Sequence, residues 1–136
     1  MRPVLLLCVL SLALTACGGA TPRDSAKDFK GAERAVAAAV ENLETAARDN
    51  DSAKACTKLF ATRLLSTIRT RGQTCTAAVK DAFKDADALD LTVEDVTIDG
   101  TTASAKVTSG TGSNKQTATL ELEKAGAAWR ISSLSA

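Results

Sequence analysis

Between positions 29 and 83 apolar residues recur at intervals of three, four or seven, and from position 89 onward they recur at two. The first spacing lines one face of a helix and the second lines one face of a strand. Phe29, Val36, Val40, Leu43 and Ala47 make one stripe, with Glu33, Arg34, Glu41, Glu44 and Arg48 largely off it. The stripe predicts a first helix of about six or seven turns. Ser25-Ala26-Lys27-Asp28 has the form of a capping box at its start, with Asp where Glu or Gln is usual. Asn50-Asp51-Ser52 interrupts the stripe and can cap a second helix, whose buried side is Cys56, Leu59, Phe60, Leu64 and Ile68 and whose stop is Gly72. Thr74 can cap a third helix carrying Cys75, Val79, Ala82, Phe83 and Ala86.

Leu89, Leu91 and Val93 then alternate, and Val96 and Ile98 alternate in the opposite phase. Such a flip predicts a bulge near Glu94-Asp95. Asp99-Gly100 favours a two-residue hairpin turn. Ala103, Ala105 and Val107 line the next strand, Gly110 to Asn114 make a loop, and Ala118, Leu120 and Leu122 line a third strand. Gly126 marks another turn, and Trp129 and Ile131 point inward from a last strand that Leu134 can close. The pattern predicts an α+β domain. Three N-terminal helices pack on one face of a bent antiparallel sheet, a meander of four strands, because an apolar sheet face must be covered. The other sheet face reads Thr, Glu, Lys and Ser, which favours a monomer over a self-associating structural module.

The start of the chain has a different character. After Arg2, residues Val4 to Leu14 are apolar except for Ser11, a run too short for a bilayer span, which needs about 20 residues. Its length suits the hydrophobic region of a signal peptide. Leu14-Thr15-Ala16-Cys17 follows, with Gly18 and Gly19 behind it. This segment resembles a bacterial lipobox. The resemblance implies a lipoprotein signal peptide over residues 1–16, cleavage before Cys17, and diacylglycerol on the Cys17 sulfur with further acylation, palmitate for example, on the new amine. An ordinary signal peptide cut after Ala16 is the competing reading. Residues 17–25 read as the lipidated cysteine and a short Gly-, Thr- and Pro-containing tether, and residues 26–136 as the domain. Eight tether residues reach at most about 29 Å, so the domain is expected close to the outer face of the cell membrane.

This address governs the cysteines. Cys8 belongs to the signal segment and Cys17 to the lipid, leaving Cys56 and Cys75. An even pair in a small exported domain reads as a disulfide. Two buried free thiols, or metal ligands, are the alternatives. Two thiols in a chain with no histidine are too few for a closed zinc site, so no metal and no cofactor are expected.

The order of elements resembles the NTF2-like (cystatin-like, half-cone) superfamily, and most closely the small secreted lipoproteins of high-GC Gram-positive bacteria within it. The likeness is carried by ARDNDSAKACTKLFA, CTAAVKDAF, VEDVTIDGTTASAKV and AGAAWRISSL, the last ending in a Trp-Arg-Ile strand. The superfamily usually has more strands, so four make a trimmed version. The resemblance implies a pocket between helices and concave sheet, with Val40, Phe60, Phe83 and Trp129 as candidate lining; Trp129, the one tryptophan, is read first as a core residue packed against Phe60 or Phe83, and a place in the pocket wall is its alternative. Some members are isomerases or dehydratases and others bind ligands or partners. The catalytic ones place Asp, His or Tyr in the pocket, and this chain has no His and no Tyr. A non-catalytic module for a small apolar ligand or an envelope protein is therefore the leading expectation, and an enzyme of the isomerase or dehydratase kind is the runner-up.

Charge and motifs narrow this further. The chain has 17 Lys plus Arg against 16 Asp plus Glu; without Arg2 the balance is zero, so it carries no electrostatic footprint for nucleic acid. Asp95, at the bulge, is the one carboxylate that can turn inward, against the plainer reading of a solvated residue. Asp85 to Asp90 imitates a calcium loop but lacks its sixth-position Gly and twelfth-position Glu, and reads as a solvated helix end. Arg63, Arg69 and Arg71 cluster toward the end of the second helix, where they can grip an anion or complement the helix dipole. No nucleophile-elbow serine, Walker or Rossmann glycine pattern occurs.

Overall fold

The computed structural model describes residues 24–84, 90–110 and 112–135. The targeting segment, Cys17, Ala86, Leu89 and most of the calcium-loop imitation lie outside these residues. The described chain is an α+β fold of four helices and one antiparallel sheet: α1 (Gly31–Arg48), α2 (Ser52–Lys54), α3 (Thr62–Thr70), α4 (Cys75–Ala82), then β1 (Thr92–Asp99), β2 (Thr102–Ser109), β3 (Gln116–Ala125) and β4 (Ala128–Ser135). The sheet is a meander in the order β1-β2-β3-β4. No helix among the described residues is long and apolar enough to cross a membrane.

The first helix starts later than its stripe predicts. Ser25–Asp28 form a separate 3-10 turn, and Phe29 and Lys30 are extended before α1 begins. Ser25 does not cap this helix. Its hydroxyl donates to Glu41 Oε1 (3.3 Å) and accepts from the Val93 N–H (3.2 Å), while Glu41 Oε1 also takes the Ala26 N–H (2.7 Å). A carboxylate on α1 thus holds the incoming turn against β1, and those long-range bonds outcompete a local capping box. The other end of α1 closes in a Schellman motif. Asn50 adopts φ +53°, its N–H reaches the Ala47 carbonyl, and the Asp51 N–H reaches that of Ala46. Asp51 then caps α2 through its carboxylate, which accepts from the Lys54 N–H at 2.9 Å.

The second predicted helix is two. α2 runs into a π-helical turn, Ala55–Leu59, then Phe60 and Ala61 are extended, and α3 starts afresh at Thr62. No Pro or Gly causes the break. The Ala61 N–H donates to the Ile131 carbonyl at 2.8 Å, and Phe60 makes a parallel bridge with Ile131. The free edge of β4 takes backbone bonds from the chain where a straight helix would have kept them internal. Gly72, φ +77°, follows the C-cap Arg71 and stops α3, and the Thr74 hydroxyl caps α4 by accepting from the Ala77 N–H, both as the sequence indicates.

In the sheet, Val93 pairs with Val107 and Asp95 with Lys106, so Glu94 is the extra residue of the expected bulge. Asp99 pairs with Thr102, so the turn residues are Gly100-Thr101 and not Asp99-Gly100. Gly100 alone takes positive φ, +59°, the pattern of a type II′ turn with Gly first. Gly126 repeats it between Ala125 and Ala128. A second bulge inserts Ser132 opposite Glu121 and Leu122. Val93, Val96, Ala103, Ala105, Val107, Leu120, Leu122, Trp129 and Ile131 are buried beneath the helices, and Thr97, Lys106 and Glu121 are exposed on the far face. α1 lies across β1, β2 and β4 and supplies Val36, Val40 and Leu43 to the core.

One charged side chain is sealed in this packing. Glu44, on α1, is 1% exposed. Its Oε1 meets Arg48 Nη2, which lies 3.5 Å from Asp90, and its Oε2 makes no hydrogen bond among the described residues. Burial pushes the Glu44 carboxyl above its ordinary 4.5; Arg48 opposes the shift, and Asp90 and Glu41 add to it. The fold therefore favours the protonated acid. That contribution to stability is complete below about pH 4.5 and is lost as pH rises through the higher folded-state value. Urea midpoints of the native protein are expected to fall relative to those of Glu44→Gln between about pH 4 and pH 8. A difference that stays constant with pH, or changes the other way, would contradict this placement.

Candidate functional site

The helices do not close over the whole sheet. α4 packs mainly on α2, α3 and the π-helical turn, and α3 packs on β4 and α4. A cleft of about 580 Å³ remains between α3, α4 and the far ends of β2, β3 and β4. Small side chains are the reason. Ala78 and Ala82 face it from α4, and Ser109, Ala118, Ser132 and Ser133 face it from the strands, so neither side reaches across. The floor and walls are apolar: Leu43 from α1, Phe60 at the break, Leu64 and Ile68 from α3, Val79 and Phe83 from α4 and the turn after it, and Leu91, Val107 and Leu120 from the sheet side. Its volume lies within the roughly 300–1,000 Å³ typical of small-molecule sites, and its apolar lining with a few polar groups has their character.

The break at Phe60–Ala61 builds this site. It turns α3 away from the line of α2, so Leu64, Thr67, Ile68 and Arg71 face the cleft. The disulfide joins Cys56, in the π-helical turn, to Cys75, the first residue of α4, with Cα atoms 6.0 Å apart. It closes a loop around α3, so one cross-link fixes both helices of the wall.

Of the four pocket residues expected from the resemblance, Phe60 and Phe83 line the cleft. Val40 and Trp129 are buried in the core and are not among the lining residues. Trp129 is 7% exposed, with Lys124 Nζ 5.9 Å from its ring centroid. Leu134 does not close the last strand: it is 55% exposed at the cleft mouth, the one large apolar side chain so exposed among the described residues. Arg63 and Arg71 reach the lining and Arg69 does not.

The carboxylates are elsewhere. Asp95 stays exposed beside the bulge, opposite Lys106. Glu94 accepts from the Thr108 hydroxyl at 2.8 Å with Lys115 3.5 Å away, and that bond, aided by the lysine, lowers its pKa. Buried Glu44 is absent from the lining. Among the described residues no carboxylate lines the cleft and no group of three Asp, Glu or Cys could hold a metal ion. The described lining can enclose an apolar body and offer it hydroxyls and guanidinium groups. Leu64, Ile68, Val79 and Leu91 were legible as apolar positions in the sequence, but only the helix break shows that they face an opening.

No family model, curated protein or solved structure matches this chain.

Proposed function

We propose that this chain is an extracytoplasmic lipoprotein whose domain, a trimmed relative of the NTF2-like half-cone, binds a small apolar ligand without transforming it. The cleft of about 580 Å³ under α3 and α4 carries the reading. The Cys56–Cys75 bridge supports the compartment, because disulfides persist where the surroundings are oxidising. Lipid on Cys17 would hold the binding domain at the membrane surface, where two or more acyl chains suffice for stable anchoring.

Two measurements separate anchor from cleft. Radiolabelled palmitate is expected to enter the protein in cells and to fail with Cys17→Ala; incorporation that survives the substitution sinks the anchor. For the cleft, the apolar fluorophore anilinonaphthalene sulfonate is the probe. The folded protein is expected to bind about one equivalent with a blue-shifted gain in emission. Ala78→Trp, which places a large ring in the opening, is expected to abolish that gain while leaving the unfolding free energy from urea titration within about 1 kcal/mol of native. A folded native protein that leaves the dye dark would overturn the binding reading.

A further inference from the structure

We propose that the cleft selects a single-chain amphiphile with an anionic head, a long-chain carboxylate being the simplest. The inference rests on the cleft being the binding site. Its basis is the placement of two arginines. Arg63, Thr67 and Arg71 follow one another at four-residue steps and all face the opening. Neither guanidinium is in an ion pair among the described residues. The described lining holds two positive groups and no carboxylate to offset them.

Helix electrostatics accounts for one arginine and not the other. Arg71 is the C-cap of α3, where a cation complements the negative end of the dipole. Had α2 and α3 been one helix, Arg63 would sit in mid-helix. The break places it second in α3, beside the positive end of the dipole, where a cation is disfavoured. An anion drawn to the mouth of the cleft would offset that cost. Leu64, Ile68 and Phe83 then offer the chain behind the head an apolar enclosure, and exposed Leu134 extends it to the rim.

The test uses full-length protein in bilayer discs of neutral phospholipid. The probes are tetradecanoic acid bearing a diazirine and its methyl ester, equal in length and different in charge. After irradiation, label from the acid is expected on peptides spanning 60–83 and 116–134, at roughly tenfold the level from the ester, about 1.4 kcal/mol. In Arg63→Gln/Arg71→Gln the acid should drop to the level of the ester. Unchanged labelling by the ester would show that the variant still folds. Arg63→Lys/Arg71→Lys should keep most of the preference. In the native protein the excess of acid over ester should shrink as salt is raised, because exposed charges are screened. Equal labelling of the cleft by acid and ester overturns the anionic class and leaves the cleft as a binding site. Absence of label from the cleft with both probes overturns the binding reading as well.

Discussion

Unfolding of Cys56→Ser/Cys75→Ser is expected at a free energy about 3 kcal/mol below that of the native protein, the loop-entropy value for a cross-link of this span. The bridge joins residues 19 apart and encloses all of α3. The helices it joins cannot compensate fully. α3 buries only Leu64, with Leu65 and Ile68 partly covered, and α4 buries only Val79. At about 25 cal/mol per Å² of apolar area, such helices contribute little against the cost of ordering them. The loss should therefore fall on this region before the rest. Amide exchange in 62–82 should accelerate more than in 92–109, and dye binding in the cleft should weaken with it. Urea titration of the native and double-serine proteins checks the magnitude. A difference below about 1 kcal/mol would mean that the helical wall stands without its staple.

Leu122→Ala is expected to cost about 3 kcal/mol, and Leu134→Ala less than about 0.5 kcal/mol, although both remove the same atoms from the inner face of the sheet. Leu122 is 1% exposed and sits opposite Ala103 on one side and Ile131 on the other, at the centre of the meander. Ala103 is too small to fill the space that a lost leucine leaves, so the cavity persists and adds to the lost transfer energy. Leu134 is 55% exposed, and its removal frees apolar surface already in water. For a domain with a total stability of about 5–15 kcal/mol, the first change is a large fraction of the whole. Chemical denaturation of the two variants measures the contrast. Equal losses would show Leu134 covered in solution, by a ligand or a second copy.

The split between helical and strand halves was legible because burial on one face imposes a period; β2 and β3 kept the alternation read from them, whereas the bulge at Ser132 broke it in β4 and left Leu134 exposed. The bulge at Glu94 was legible for the same reason, since an inserted residue inverts the phase of Val96 and Ile98. Thr74, Asp51 and Gly72 declared themselves as local hydrogen-bonding or conformational signals. At the start of α1 and at the helix break, groups distant in sequence decided the matter. Ser25 answers to Glu41 and Val93, and the chain at Phe60–Ala61 answers to the edge of β4 at Ile131. No local pattern distinguishes Phe60 from any other apolar residue of a helix, so one helix was expected where there are two. The cleft was invisible for a related reason. Its lining looks like core in the sequence, and the space exists only because facing positions on α4 and the strands carry Ala and Ser. Val40 shows the converse, an apolar residue that suits a pocket and packs into the core, while Trp129 packs in the core as its inward-facing strand position indicates.

The most direct test of a ligand-holding cleft is native mass spectrometry of the protein extracted from its own envelope with a mild neutral detergent. The account predicts, beyond the covalent mass, a non-covalent species at one copy per chain that dissociates on collisional activation and is absent from Ala78→Trp. A native protein that flies at its bare covalent mass and gains nothing from an added envelope lipid extract, or an adduct retained undiminished in Ala78→Trp, would contradict it.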